Sequence, residues 1–230
     1  MLKGNSSTIV LGHGFSHPAA VDLDNDGDKD VFVWNSHALY YFKNIGTKTN
    51  AVFELQTGTD NPLHGHTAGA PGTIAVIDRD NDGLMDLYVG DSSGKILYYR
   101  NTGSRTNPAF TRQLGENNPF NTFNAGPHAG YGRASPTVIG QDVYVGTNTG
   151  IIMYFQNSET PPRPVYHLQH GMNNPLSGVD VGAKAVLCLV DMDDDGDEDL
   201  FVGNSDGKIH FFLNDGDSTA SVFVEQTGAN

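Results

Sequence analysis

The sequence predicts an all-β fold, a β-propeller of four-stranded antiparallel blades, with four blades in the chain. Three observations lead to this prediction: an internal repeat of about 56 residues, short apolar segments separated by turn residues inside each repeat, and a composition with 28 Gly, 9 Tyr and 12 Phe in 230 residues. Segments this close together leave no room for the crossover helices that parallel strands need, whereas antiparallel strands joined by short turns form propeller blades.

One acidic segment defines the repeat, because it occurs three times. It reads VDLDNDGDKDVFV at residues 21–33, VIDRDNDGLMDLYVG at 76–90 and LVDMDDDGDEDLFVG at 189–203. The first two copies are 56 residues apart and the last two are 113 apart, so another repeat is expected between them. The segment DVYVGTNTGIIMYFQN at residues 142–157 fills that place, since it matches residues 86–101 and lacks only the acidic loop.

A second landmark, a glutamine after the last apolar segment of each unit, confirms this period. We therefore expect a single propeller domain over residues 1–230, with repeats at approximately 1–62, 63–119, 120–175 and 176–230. Four units fit a closed ring, and the alternative is a part of a longer propeller. We expect the glutamines to bond to the backbone at blade corners rather than to a ligand. They are Gln56, Gln113, Gln169 and Gln226.

Each acidic loop has the form D-x-D-x-D-G-x-x-D, which predicts a bound Ca²⁺. Four carboxylates and a backbone carbonyl at the seventh position offer a shell of hard oxygen ligands, and the loops contain no His or Cys for Zn²⁺. An EF-hand is excluded, because its twelfth position needs a Glu and these loops have Val33, Val89 and Val202 there. The predicted ligands of the three sites are Asp22, Asp24, Asp26, Asp28 and Asp30; Asp78, Asp80, Asp82, Leu84 and Asp86; and Asp191, Asp193, Asp195, Asp197 and Asp199.

These motifs, followed by an L-x-V-G strand in the second and third copies, resemble the FG-GAP/VCBS repeat of integrin α-subunit propellers and of related lectin-like and bacterial surface proteins. The resemblance covers three full motifs and one degenerate copy. It implies a calcium-binding propeller in which the ion stabilises the blade, and it implies a binding function. Propellers of this family usually have seven or eight blades, so four repeats are a departure from the pattern.

Charge and hydropathy narrow the classes of partner. The formal net charge of −14 is unfavourable for binding nucleic acid, which requires a basic surface. No apolar run reaches 18 residues, so we expect no membrane insertion. Structural calcium sites of the affinity usual in extracellular modules would fill outside the cell, which predicts an extracellular or cell-surface setting. Cys188, in the apolar segment AVLCLVD, is expected to be a buried core thiol.

The third unit has no acidic loop but has five extra residues in the segment NTFNAGPHAGYGRAS, which predicts a ligand pocket there. Aromatic and polar side chains in such a loop suit a glycan or glycoprotein, and a protein partner in an adhesion module is the alternative. We expect no enzyme activity; a polysaccharide lyase or hydrolase remains the least favoured alternative, because no nucleophile motif or pair of catalytic carboxylates stands apart from the calcium loops. The candidate ligand-binding residues are His64, His66, Asn124, His128, Tyr131 and Arg133.

Overall fold

The computed structural model of the chain confirms the all-β prediction and the four blades. It describes residues 16–35, 38–66, 73–125, 134–158, 165–217 and 220–227. Within these ranges four antiparallel sheets follow one another along the chain, each made of four consecutive strands in the order in which they occur. Helical structure there is confined to three short 3₁₀ turns, and none of them is long or apolar enough to span a membrane.

Each sheet is called a blade and is numbered in chain order. Blade 1 contains β1 (Ser16–Val21), β2 (Asp30–Asn35), β3 (Ala38–Asn44) and β4 (Phe53–Gln56). Blade 2 contains β5 (Ile74–Ile77), β6 (Asp86–Gly90), β7 (Ile96–Asn101) and β8 (Phe110–Gln113). Blade 3 contains β9 (Ala134–Ile139), β10 (Asp142–Thr147), β11 (Ile152–Asn157) and β12 (Tyr166–Gln169). Blade 4 contains β13 (Val186–Val190), β14 (Asp199–Gly203), β15 (Ile209–Asn214) and β16 (Phe223–Glu225).

The corners between blades are fixed by side-chain amides that bond to the backbone. All four repeated glutamines donate to a carbonyl two residues earlier, as Gln113 does to Thr111 at 3.0 Å, which confirms the predicted structural role. After β4, β8 and β12 the chain makes a 3₁₀ turn, at Gly58–Asp60, Gly115–Asn117 and Gly171–Asn173. The side-chain amide of the asparagine that follows each turn donates to a backbone carbonyl near the start of the third strand. The pairs are Asn61 with Leu39, Asn118 with Ile96, and Asn174 with Ile152.

The hydrophobic core is divided into three clusters, each lying between two consecutive blades. Trp34 is fully buried in the cluster between blades 1 and 2, where it packs as a core residue. In blades 2 and 3 the equivalent residues are Gly90 and Gly146, where an added Cβ would collide with the backbone of the next blade. Among the described residues, no such core cluster joins blade 4 to blade 1.

Burial in blade 4 differs from the sequence-based expectation at Cys188. This residue was predicted to be a core thiol, and it is exposed. The prediction was wrong because Cys188 lies on the face of β13 opposite to Leu187 and Leu189, which pack against blade 3, and that opposite face has no neighbouring blade among the described residues. Apolar sequence predicted the strand correctly, but the burial of its second face depends on a neighbouring sheet.

Candidate functional site

The three acidic loops connect the first two strands of blades 1, 2 and 4, and they share one backbone conformation. The fourth position of each loop has a positive φ of 56–60°, and it is Asn25, Asn81 or Asp194. Asn and Asp enter this left-handed region more readily than other side chains. The sixth position is glycine with φ of 83–97°, which only glycine adopts without strain. The pattern D-x-D-N/D-D-G therefore encodes a tight turn as well as a set of carboxylates.

This turn brings the carboxylates of positions one, three and five together. In each loop one carboxylate oxygen from each of these three aspartates lies within 4.8 Å of the other two. The first carboxylate is held in place by the backbone, since the N–H of the sixth-position glycine donates to it at 2.9–3.1 Å in all three loops. The structure thus brings together three sets of predicted ligands, and their role in metal binding stays a prediction: Asp22, Asp24 and Asp26; Asp78, Asp80 and Asp82; and Asp191, Asp193 and Asp195.

The residues fit a hard cation, because several of their oxygens are buried without a hydrogen-bond partner among the described residues. These oxygens are Oδ1 of Asp22, Asp24, Asp28, Asp80 and Asp191. A carboxylate oxygen that has lost water and found no donor is unfavourable unless a cation replaces the donor. Ca²⁺ accepts six to eight oxygen ligands in flexible geometry, and such loops could hold it through the three aspartates with further oxygens from the turn.

The ninth-position aspartate has a different environment from the triad. Both oxygens of Asp86 accept hydrogen bonds, one from the hydroxyl of Tyr98 at 2.7 Å and one from the backbone N–H of Asn101 at 2.7 Å. Blade 1 has the same arrangement at Asp30, and blade 4 replaces the hydroxyl by the N–H of Met192. The ninth aspartate therefore joins the second strand to the third, whether or not it also contacts a metal ion.

In the absence of metal, burial raises the pKa of the ninth-position aspartate of the second loop. Desolvation raises the pKa of Asp86 to about 6, although the donors Asn101 and Tyr98 oppose the shift. The pKa of Asp28 is also raised, first by desolvation and then by repulsion from Asp26 and the other loop carboxylates. Both shifts indicate crowded carboxylates that a divalent cation would stabilise.

Two of the three triads are next to a basic side chain that sequence reasoning missed. Lys43 in β3 forms an ion pair with Asp24 in the first loop. Arg100, at the equivalent position of β7, contacts Asp80 at 2.6 Å and Asp82 at 3.4 Å. Leu213 of β15 occupies this position in blade 4, and within the described part of the chain no basic side chain pairs with the third loop. The signal was present in the repeat, since a basic residue directly precedes the last asparagine of the third strand in the first two units.

A groove of about 500 Å³ lies between blades 2 and 3, beside the second acidic loop. Arg79 lines it and lies over the ring of Tyr98, with the guanidinium carbon 4.5 Å from the ring centroid. Tyr166 from β12 forms the opposite wall, and Asn117 and Asn121 contribute amide groups. The groove thus combines aromatic rings, amides and charged groups of both signs, a set of surfaces suited to a polar ligand.

The predicted ligand-binding residues are only partly described. His128, Tyr131 and Arg133 lie outside the described residues. His66 packs edge-on against Tyr99 and its Nε2 lies 3.0 Å from the carbonyl of Phe110, which places it in the joint between blades 1 and 2.

The other two members are exposed and lie in different connections. His64 follows blade 1, and Asn124 follows blade 2, where it lies over Gly94. Their role in ligand binding remains a prediction.

Comparison with known proteins supports the repeat assignment. Residues 22–89 match the family model described as FG-GAP-like repeat. The chain is also similar to a type IV pilus biogenesis factor PilY1 homolog of Xylella fastidiosa strain Temecula1, at 30% identity over 159 residues. That match covers 63% of this chain and 10% of the relative, so the chain corresponds to a small part of a much longer protein. The matched segment, the repeated motifs and the blades together show a β-propeller that is consistent with FG-GAP repeats.

Proposed function

We propose that this chain is a calcium-stabilised propeller that serves as a binding module outside the cell or at its surface. The observation that carries the proposal is the triad of convergent carboxylates in three loops of identical turn geometry, with buried oxygens that have no donor among the described residues. Neutralising each triad would remove its repulsion and fix the first hairpin of the blade, so metal binding would add to the free energy of unfolding.

Calcium fits these loops better than the other common divalent ions. Mg²⁺ demands near-ideal octahedral geometry and keeps its waters, whereas a flexible turn with many oxygens suits Ca²⁺. Zn²⁺ prefers nitrogen and sulfur ligands, which the triads lack. Sites of this kind in extracellular modules have dissociation constants of roughly 10⁻⁴–10⁻³ M, so an extracellular or surface setting would fill them. The name of the relative, a pilus biogenesis factor, is consistent with such a setting.

A protein partner is the first candidate ligand. The FG-GAP type of propeller suggests an interaction or adhesion module, and a scaffold of rigid blades can present loops from several repeats to one partner. No catalytic step is proposed for any residue.

A glycan is the second candidate, and the groove between blades 2 and 3 favours it. The aromatic ring of Tyr166 could contact the apolar face of a sugar, while Asn117, Asn121 and Arg100 could bond to its hydroxyl or acidic groups. His128, Tyr131 and Arg133 belong in sequence to the extended connection between the same two blades, and their role in ligand binding stays a prediction.

The calcium proposal is tested by calorimetric titration after treatment with a chelator. Wild-type protein should bind three Ca²⁺ ions and gain thermal stability. A variant with Asp22→Asn, Asp78→Asn and Asp191→Asn should lose both effects. Asp142→Asn is the matched control, because it changes a ninth-position aspartate in the blade without a triad and should leave three ions bound. Absence of calcium binding by the wild type would contradict the proposal.

The nature of the ligand is tested on a glycan array and against surface proteins of candidate partner cells, with calcium present. Asn121→Trp places a large side chain at the groove, and Met172→Trp changes a fully exposed residue elsewhere as a control. Array binding lost only in Asn121→Trp would support a glycan. No binding on the glycan array, together with saturable binding to a purified surface protein, would support the adhesion function.

A further inference from the structure

The outer face of blade 4 is apolar and exposed. It is formed by Cys188 and Val190 of β13, Phe201 of β14, and Ile209 and Phe211 of β15, and is called the open face. Ile209 is 75% exposed and Val190 is 41% exposed. Phe201 and Phe211 stack on each other with ring centroids 4.5 Å apart, and both are half-buried. A contiguous apolar patch of this kind on a folded protein marks an interaction surface.

The open face is equivalent to a surface that is buried in the preceding blade. Residues 57 positions earlier, Tyr144, Ile152 and Tyr154, lie at the same places in β10 and β11 and have the same strand pairing. They form the cluster between blades 3 and 4 together with Leu200 and Val202. Blade 4 therefore presents the surface that the repeat uses to hold its next neighbour.

The glycine at the end of the second strand gives independent support. A Cβ added to Gly90 would collide with the carbonyl of Ala134 in the next blade, and one added to Gly146 would lie 2.5 Å from the carbonyl of Ala185. The absence of a side chain is what lets the next first strand approach. A Cβ on Gly203 would meet nothing within 4 Å in the described structure. Blade 4 thus keeps the space for a neighbouring first strand.

Blade 1 offers the complementary surface. In blade 2, Ile74 and Val76 of the first strand pack against blade 1. The equivalent residues 56 positions earlier are Pro18 and Ala20 of β1, and both are exposed. Their small side chains allow a close approach. Val33, on the same face of blade 1, is buried, so the surface available for docking is confined to β1.

We propose that a second copy of this chain covers the open face, with β1 of each copy packed against blade 4 of the other. The contact repeats the interface already present three times within the chain, and two such contacts related by a two-fold axis close a ring of eight blades. Closure within a single chain is disfavoured, because no core cluster joins blades 4 and 1 among the described residues. This inference does not depend on the identity of the external ligand.

The test measures the mass of the purified, calcium-loaded chain by light scattering over a range of concentrations. Wild-type protein should have twice the mass of the 24.7 kDa chain. Ile209→Asp and Ala20→Asp should each reduce the mass twofold to that of the monomer, since each places a charge in the contact at an exposed position. Met172→Asp, at a fully exposed site away from both surfaces, should remain a dimer.

Mixing the two monomeric variants separates head-to-tail pairing from pairing of two open faces. A mixture of the two variants retains one intact contact, between blade 4 of Ala20→Asp and β1 of Ile209→Asp. The mixture should therefore recover the dimer mass. A mixture that stays monomeric would overturn the proposed arrangement.

Cys188 gives a local readout, because it is the only cysteine in the chain and lies on the open face. Its alkylation should be slow in the wild-type dimer and fast in Ile209→Asp. Fast alkylation in a wild-type dimer would place the contact elsewhere and overturn the proposal. A wild-type monomer would overturn it as well. A protected thiol in that monomer would indicate that blades 1 and 4 pack against each other within one chain, and a reactive thiol would indicate an open monomer.

Discussion

The carboxylate of Asp142 accepts a hydrogen bond from the hydroxyl of Tyr154 at 2.5 Å, in a blade whose first turn carries no acidic triad. Its other oxygen accepts the backbone N–H of Asn157 at 2.8 Å. The same two bonds occur at Asp86 beside the second triad. The link between second and third strands is therefore part of the blade itself, and it is separable from metal binding.

Removing the hydroxyl should destabilise blade 3 independently of calcium. Tyr154→Phe leaves a carboxylate oxygen of Asp142 without its donor, which should lower the free energy of unfolding by about 1–3 kcal/mol. Urea unfolding, followed by the fluorescence of Trp34, should give the same loss with calcium and with chelator. Tyr99→Phe is the control, because the hydroxyl of Tyr99 is buried without a partner among the described residues and its removal should be neutral or stabilising. A loss that appears only with calcium would contradict this separation.

The basic residues beside the triads should weaken calcium binding. Lys43 neutralises part of the first loop, so Lys43→Met should raise its calcium affinity by about two- to fivefold, as expected for a partly exposed ion pair. Leu213→Lys should lower the affinity of the third loop by a similar factor. Each is measured by calorimetry in a background in which the other two loops carry Asp→Asn substitutions. Equal affinities of Lys43→Met and the wild-type first loop would rule out this competition.

Glycines of the second strand should differ sharply in their tolerance of alanine. Gly90→Ala forces a Cβ against the backbone of blade 3 and should cost about 1–3 kcal/mol of unfolding free energy. Gly203→Ala meets open space, so its effect on the folding of the monomer should stay within about 0.5 kcal/mol. Thermal unfolding of both variants in the Ile209→Asp background makes the comparison independent of any dimer. Equal losses would contradict the open position of Gly203.

The stability of the calcium-free protein should respond to the raised pKa of Asp86. Its pKa is about 6 in the folded chain and 3.8 for the unperturbed group, so the folded state binds more protons between these values. The contribution of this group is therefore fully present below about pH 4 and is lost as the pH rises towards 6. The stability difference between wild type and Asp86→Asn in chelator should fall over this range, and a flat difference would contradict the shift. Calcium affinity of the second loop should rise over the same range.

Repetition made much of the fold predictable. The spacing of the acidic segments identified four units, and the glutamines such as Gln113 were correctly assigned to backbone bonds. The triads were predictable because positions one, three and five of a tight turn converge on one point. The ninth position was assigned only as a ligand, although Asp142 persists in the unit that lost its loop, which is the sequence signal for a structural role.

Burial was less predictable, because it depends on contacts between repeats. Cys188 and Leu189 are neighbours in one apolar segment, yet only Leu189 has a blade to pack against. Likewise Phe211 is only half-buried, whereas its sequence neighbour Phe212 is buried. Each unit has apolar residues on both faces of its sheet. The sequence of a single unit therefore does not show which face of blade 4 lacks a neighbouring blade among the described residues.

Blades that pack one after another along the chain differ in stability. Blades 2 and 3 each have two packed neighbours, while blade 4 has one among the described residues. In such nearest-neighbour systems the end unit opens first, so amide protons of β14 should exchange sooner than those of β6 in the monomer. The third triad lies in blade 4, where the described residues place no basic side chain such as Arg100 beside it. In the monomer, the calcium concentration would then mainly change how often blade 4 unfolds locally, while blades 2 and 3 stay folded.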